Sequence, residues 1–380
     1  MDHLPTNFKT PGQLIEWLLA ERGWTKKVLG IVLEMDEAGL SRIISGKRPL
    51  SAELAVALEE VFEVPAESLM ALQKSFELAQ ARIAAQPDPK RATRAKLFGG
   101  LPVNEMIKRG WLLAENSKIP AVEKALHDFF HVESSEAIEA LPHAAKKADP
   151  LSDSTLVQIA WMHRVRQIAS EMLVPRFSID AAKAAVKKLT PLLSAVEETR
   201  KVPKILAEAG IRYVIVETLP TAKIDGICMW LNDASPVIGM SIRYDRIDNF
   251  WFVLRHELEH VIRGDGKISP IIDAELEGER AGTSAAIPEA ERFANGAAAE
   301  FCVPSKSMDS FILRKSPFFA ERDLLGFAKT LGIHPGLVAG QLQHKTGRHD
   351  RFRAHQVKVR SNVAPSAVVD GWGDIAPVDI

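Results

Sequence analysis

The run His256-Glu257-Leu258-Glu259-His260 places two imidazoles four positions apart, with a carboxylate directly after the first. In an α-helix, residues four apart differ by about 40° around the axis, so His256 and His260 project from one face. Imidazoles so placed can grip one Zn2+, which takes histidine nitrogens at roughly 2.0–2.1 Å. Glu257 is turned by about 100° from His256, which sets its carboxylate beside the metal and not on it. There it can take a proton from a metal-bound water and pass it to a leaving amine, while the metal lowers the water pKa and polarises the scissile carbonyl. The expected chemistry is zinc-dependent peptide hydrolysis, with Glu257 as the catalytic residue and Zn2+ as the cofactor.

A catalytic zinc needs a third protein ligand. Pro288 reads as the start of a further helix, since proline is tolerated there. In that helix Glu291 and Asn295 lie one turn apart and share a face. Glu291 is the expected third metal ligand. Asn295 is expected to bond the second ring nitrogen of a zinc-binding histidine. Tyr244 and Arg246 are weaker candidates for stabilising an oxyanion. The acidic run at residues 273–279 reads as a solvated loop near the cleft.

Several elements must position these groups. A helix is expected over residues 248–263, N-capped by Asp248 and stopped by Gly264-Asp-Gly266. Phe250, Val253, Leu254, Leu258, Val261 and Ile262 give it a broad apolar face. Upstream, β-rich runs occupy residues 212–217, 226–231 and 236–243. The turn chemistry of residues 232–235 makes the last two a hairpin. The strand at residues 237–242 is expected at a sheet edge, open to an extended peptide. Residues 101–210 have helical periodicity, as do the stretches from 248 to about 344. The tail, residues 361–380, shows no period and is expected to be irregular. Trp111, Trp161, Trp230 and Trp251 sit in apolar runs and read as core. His127, His131, His143 and His163 are scattered and read as satisfied side chains, and His334 as a helix-start feature.

At the other end, residues 11–83 read as about five short helices broken at Gly23, Met35-Asp36, residues 46–49 and Val64-Pro65. Residues 84–100 carry Pro87, Pro89 and four basic side chains against one acidic, the composition of a basic linker. Residues 11–70 hold six basic and ten acidic side chains, a net charge of -4. Asp36 and Glu37 open the third helix, where approach to phosphates is penalised. Arg42, Lys47 and Arg48 remain available for DNA backbone contacts.

The chain has 380 residues and a net charge of -1, so bulk affinity for polyanions is not indicated. Its composition, 46% hydrophobic and 26% charged, suits an ordinary globular protein of two or three domains. Cys228 and Cys302 form no metal-binding spacing and no disulfide framework. With no signal-like N-terminus and no apolar run long enough to span a bilayer, a cytoplasmic protein is expected.

The segment Phe250-Trp-Phe-Val-Leu-Arg-His-Glu-Leu-Glu-His260, followed by Glu291-Arg-Phe-Ala-Asn295, resembles the ImmA/IrrE family of metallopeptidases. Residues 332–344 are similar to that family's C-terminal helical segment, and the resemblance covers roughly residues 155–360. It implies an α+β, gluzincin-type zinc domain with a small antiparallel or mixed sheet. It also implies intracellular cleavage of a regulatory protein, with His256, His260 and Glu291 as ligands and Glu257 catalytic. The family has glycine before the second histidine where this chain has Glu259, whose carboxylate could reach the metal, crowd the cleft or face solvent. Residues 25–46 resemble the second and third helices of a Cro/repressor-type domain. Residues 11–25 and 44–51 look like the HigA-type antitoxin subgroup, with the third helix (residues 36–45) placed in the major groove.

The expected molecule is multidomain and mainly α. It comprises a helix-turn-helix domain (residues 1–83), the linker, a helical region (101–210), a zinc peptidase domain (211–360) and the tail. Its expected partners are a protein or peptide substrate that is a transcriptional regulator, DNA through the N-terminal domain, and a second copy in a homodimer, with no membrane. The competing reading is an antitoxin-like repressor whose peptidase-like domain senses or docks without turnover.

Overall fold

The computed structural model describes residues 8–84, 91–114, 118–148, 154–267, 270–274 and 288–376. Residues 1–7, most of the acidic run (275–279) and most of the first half of the expected linker (85–90) lie outside the described residues. The chain divides into two compact units, Met1–Lys90 and Arg91–Ile380.

The first unit has five helices: α1 (Pro11–Arg22), α2 (Lys26–Val32), α3 (Glu37–Ile44), α4 (Ala52–Phe62) and α5 (Ala66–Ala84). Thr10, Thr25, Asp36 and Ser51 cap the first four, each side chain accepting a backbone N–H three residues on. Gly23 ends α1 at φ 62°, a left-handed position that suits glycine. Leu14, Ile15, Leu29, Leu40, Ile43, Leu58, Phe62 and Leu69 fill the core. Asp36 is therefore occupied as a cap, its Oδ1 accepting from Gly39 at 2.6 Å.

The second unit is a mainly helical body around one mixed sheet. Its helices are α6 (Arg91–Gly100), α7 (Val103–Lys108), α8 (Ile119–Phe130), α9 (Ser135–Ala148), α10 (Leu156–Glu171), α11 (Ile179–Leu189) and α12 (Val202–Glu208). After them come α13 (Ile247–Arg263), α14 (Glu289–Cys302), α15 (Ser305–Lys315), α16 (Glu321–Leu331), α17 (Pro335–Thr346) and α18 (Arg360–Val363). The strands are β1 (Arg212–Val216), β2 (Ile224–Trp230), β3 (Pro236–Met240), β4 (Ile271–Ala274) and β5 (Val368–Asp370). Their order is β4-β2-β3-β1-β5. β2 pairs antiparallel with β3 and β4, while β1 pairs parallel with β3 and β5.

Strand alternation gives this sheet two buried faces. Tyr213, Ile215, Cys228, Ile238 and Met240 join the core that holds α13. Val214, Val216, Ile227, Met229 and Val237 join the core that holds α10. The four tryptophans assigned to the core are buried, and Trp161 Nε1 donates to Val216 O at 3.0 Å.

Five expectations are corrected. The helical region 101–210 is not separate from the domain after it, because α10 packs directly under β1 and shares its core. The second half of the expected linker is α6, anchored by buried Leu97. The 361–380 tail supplies β5, whose Asp370 is buried and ion-paired with buried Arg164. β3 is interior, with β2 and β1 on its two sides, so its backbone is not open to a peptide. Asp248 is not the cap of α13: Arg246 stands there, and buried Asp248 accepts from Arg246 Nε at 3.1 Å and Gln356 Nε2 at 2.9 Å.

Candidate metal centre

The expected helix forms over Ile247–Arg263 and buries its apolar stripe against β2 and β3. His256, Glu257 and His260 are each 0% exposed. The two Nε2 atoms converge at 3.0 Å. From the first turn of α14, Glu291 reaches both: Oε2 lies 3.3 Å from His256 Nε2, and Oε1 lies 3.4 Å from His260 Nε2. A fourth group completes the cluster. Asp273 of β4 brings Oδ2 to 3.3 Å from His256 Nε2. One ligand atom from each of the four residues lies within 4.8 Å of all the others.

These distances suit a metal. A tetrahedral zinc with ligands at roughly 2.0–2.1 Å has ligand–ligand edges of about 3.3–3.4 Å. The observed separations of 3.0 to 3.4 Å match that spacing. Two buried imidazole nitrogens facing each other and two carboxylates form a donor set for a divalent cation. The electrostatics agree. Burial opposes a charge on His256, but Asp273 and Glu291 outweigh it and push its pKa up to about 10. His260 is raised in the same way, burial being overcome by Glu291 and Asp273. Burial works against the Glu291 charge, yet the hydrogen bonds to the two histidines hold it well below the usual carboxylate range. The pocket favours positive charge at the Nε2 atoms.

Glu257 stands beside this cluster. Both its carboxylate oxygens are buried, and among the described residues no group other than the neighbouring Asp273 carboxyl pairs with them. Burial, followed by the charge of Asp273 and a hydrogen bond with it, and then by the charges of Glu291 and Asp225, pushes its pKa well above the ordinary value. A carboxylate kept dry and raised this way suits a proton-transfer group. Gly226 of β2 makes the room for it: a Cβ there would stand 2.1 Å from Glu257 Oε1.

The end of α13 orients the ring of His260. Gly264 turns the chain at φ 76°, and Asp265 N bonds His260 O at 2.9 Å. The Asp265 side chain then meets His260 Nδ1 at 3.1 Å, and its carbonyl accepts from Trp230 Nε1 at 2.8 Å. This is the role expected of Asn295, and the structure gives it to Asp265. Asn295 stays off both rings: His260 Nδ1 faces Asp265, and His256 Nδ1 is buried without a partner.

Glu259 is turned away from the cluster. Its Oε2 accepts from Arg255 NH2 at 2.7 Å, an i,i+4 pair along α13. Arg246 is held by Asp248, and Tyr244 lies under the guanidiniums of Arg243 and Arg246. His334 caps α17, its Nδ1 accepting from Gly336 N at 3.0 Å.

Asp273 and Asp265 were not recognised in the sequence as site residues. Asp273 was assigned to a solvated loop, but it is 6% exposed and follows two isoleucines that pair with β2. That short Ile-Ile-Asp run was the available signal. For Asp265 it was the aspartate next to a helix-ending glycine.

In the first unit, α2 and α3 flank a tight turn, and Arg42, Lys47 and Arg48 are exposed at the end of α3. A family model described as helix-turn-helix matches residues 15–69. No curated protein matches the chain. Residues 15–69 thus form a helix-turn-helix domain of the Cro/repressor type, as their spacing led one to expect. Among the described residues, no helix is long and apolar enough to cross a membrane.

Proposed function

We propose that this chain is a zinc-dependent endopeptidase of the ImmA/IrrE type, joined to a DNA-binding helix-turn-helix domain, that cleaves a regulatory protein. The substrate class is a repressor or antitoxin in a stress, phage-response or toxin-antitoxin circuit. The observation that carries the reading is the convergence of buried His256 and His260 with half-buried Glu291, with the buried carboxylate of Glu257 next to them.

His256, His260 and Glu291 would hold the metal. Zinc in such a site supplies an acidified water and a Lewis acid for the scissile carbonyl. Glu257 receives the proton from the attacking water and delivers it to the departing amine nitrogen. Its buried position, beside Gly226, keeps competing water from that carboxylate. Asp265 fixes the ring of His260 through Nδ1, so that Nε2 is turned to His256 and Glu291, where it would bind a metal.

The test is co-expression with neighbouring gene products, comparing wild type with Glu257→Gln, alongside zinc analysis of the wild type and His260→Ala. Cleavage by wild type alone, with about one zinc per chain lost in His260→Ala, supports the reading. Zinc retained in His260→Ala sinks the metal site, and identical products from wild type and Glu257→Gln sink the enzyme. A second reading rests on the helix-turn-helix match at residues 15–69: a DNA-binding repressor whose second unit senses or docks. A promoter shift without cleavage favours it.

A further inference from the structure

Asp273 occupies a place that a ring-orienting carboxylate would not. Such a partner bonds Nδ1, as Asp265 does on His260. Asp273 instead brings Oδ2 to 3.3 Å from Nε2 of His256, the nitrogen that faces the metal, while His256 Nδ1 is left without a partner. Glu291 touches that same Nε2 at the same distance. Asp273 is therefore disposed as a ligand.

With His256, His260 and Glu291 it makes four protein donors. A zinc bound by four protein groups is closed, whereas a catalytic one keeps a position for water. The carrier of this fourth group is removable. β4 is four residues long and lies at the edge of the sheet, held only by β2 among the described strands. Its register with β2 shifts between Ile224 and Gly226, and Asp273 stands opposite Gly226, the residue that also admits Glu257.

Resting on the metallopeptidase reading above, we propose that Asp273 is a fourth metal ligand that closes the centre, and that β4 is a latch whose departure opens the water position. In the closed form Asp273 fills the site that water must enter. It also faces Glu257, so the proton acceptor and the plug lie together. When β4 leaves β2, the fourth position is freed, and the strand edge of β2 becomes available to an extended peptide.

The experiment uses the full chain loaded with Co2+ in place of Zn2+, titrated with acetohydroxamate and followed by its visible absorption. Wild type is compared with Asp273→Ala and with Asp273→Asn, which keeps the side-chain shape if the alanine variant folds poorly. The expected result is that both variants bind acetohydroxamate about tenfold or more tightly than wild type, since an open position replaces a protein ligand. Equal affinity in all three overturns the latch while leaving the metal centre intact. No Co2+ binding by any of them overturns both latch and centre. An opened variant that binds acetohydroxamate but cuts no co-expressed partner supports the latch and counts against the peptidase.

Discussion

His260 Nδ1 and Asp265 Oδ2 lie 3.1 Å apart across the turn that ends α13. The helix end thus does more than stop the helix: it locks the ring of His260, whose Nε2 faces His256 and Glu291. Removing such a partner leaves the ligand in place but lets it rotate, which typically costs about 10–100-fold in metal affinity. Asp265→Ala is expected to weaken zinc binding by that order while its circular dichroism stays that of wild type. Competition against a chromophoric chelator measures it, and an unchanged zinc affinity would remove Asp265 from the site.

Gly226 and Glu257 provide a separate test of the proton-transfer role. An alanine Cβ at position 226 would meet Glu257 Oε1 at 2.1 Å and Val253 Cγ1 at 2.9 Å. The carboxylate must move, because the β2 backbone at Gly226 is held by its pairing with Met240 of β3. Gly226→Ala should keep its zinc, lose stability by about 1–3 kcal/mol from overpacking, and lose cleavage by about 100-fold or more as the base is displaced. Thermal melts and zinc content, read beside the cleavage assay, separate these effects. Full cleavage would mean that Glu257 need not lie where β2 holds it.

Much of the candidate cluster is legible because its parts are local. His256, Glu257 and His260 come from a single helical repeat, and Glu291 starts a recognisable second helix. Asp273 was not legible because its role depends on strand pairing: only the registration of Asp273 with Gly226 carries it to His256. The edge assignment of residues 237–242 failed for the same reason. The hairpin with β2 was readable from residues 232–235, but the parallel pairing of β1 on the other side of β3 was not. β5 was hidden further, because a three-residue strand at the sheet's other edge has no periodicity of its own. The helices of the first unit were plain in the sequence, since each of four begins at a Ser, Thr or Asp that caps it.

Glu259, at the position where the metallopeptidases this chain resembles carry glycine, is paired with Arg255 at 2.7 Å. A carboxylate held one turn back along its own helix does not compete for the metal. Glu259→Gln is therefore expected to leave zinc affinity and cleavage within about twofold of wild type, a partly buried i,i+4 pair being worth only a few tenths of a kcal/mol. Isothermal titration with Zn2+ would show otherwise if Glu259 were a ligand.

If the helix-turn-helix domain docks on DNA, its cations should lie at the end of α3, where Arg42, Lys47 and Arg48 are exposed. The triple substitution to alanine should weaken binding to promoter DNA and flatten its salt dependence by about 2–3 units of log–log slope, close to one per lost phosphate contact. Fluorescence anisotropy at several salt concentrations gives both quantities. An unaltered slope would place the contact elsewhere on the unit.

His163 on α10 gives the second unit a pH dependence separate from the candidate metal centre. Its ring packs edge-on against Phe130 at 5.2 Å. Burial, followed by the charges of Arg166 and His131, lowers its pKa from 6.5 to about 4. The folded state therefore keeps His163 neutral where the unfolded chain takes up a proton. Above about pH 6.5 neither state is protonated there and the group has no effect. As pH falls from 6.5 towards 4 the unfolded state gains the proton first, and stability drops by about 2–3 kcal/mol. Urea melts at pH 7 and pH 4.5 should show this loss in wild type and a smaller one in His163→Gln. An equal loss in both would assign the acid sensitivity to other groups.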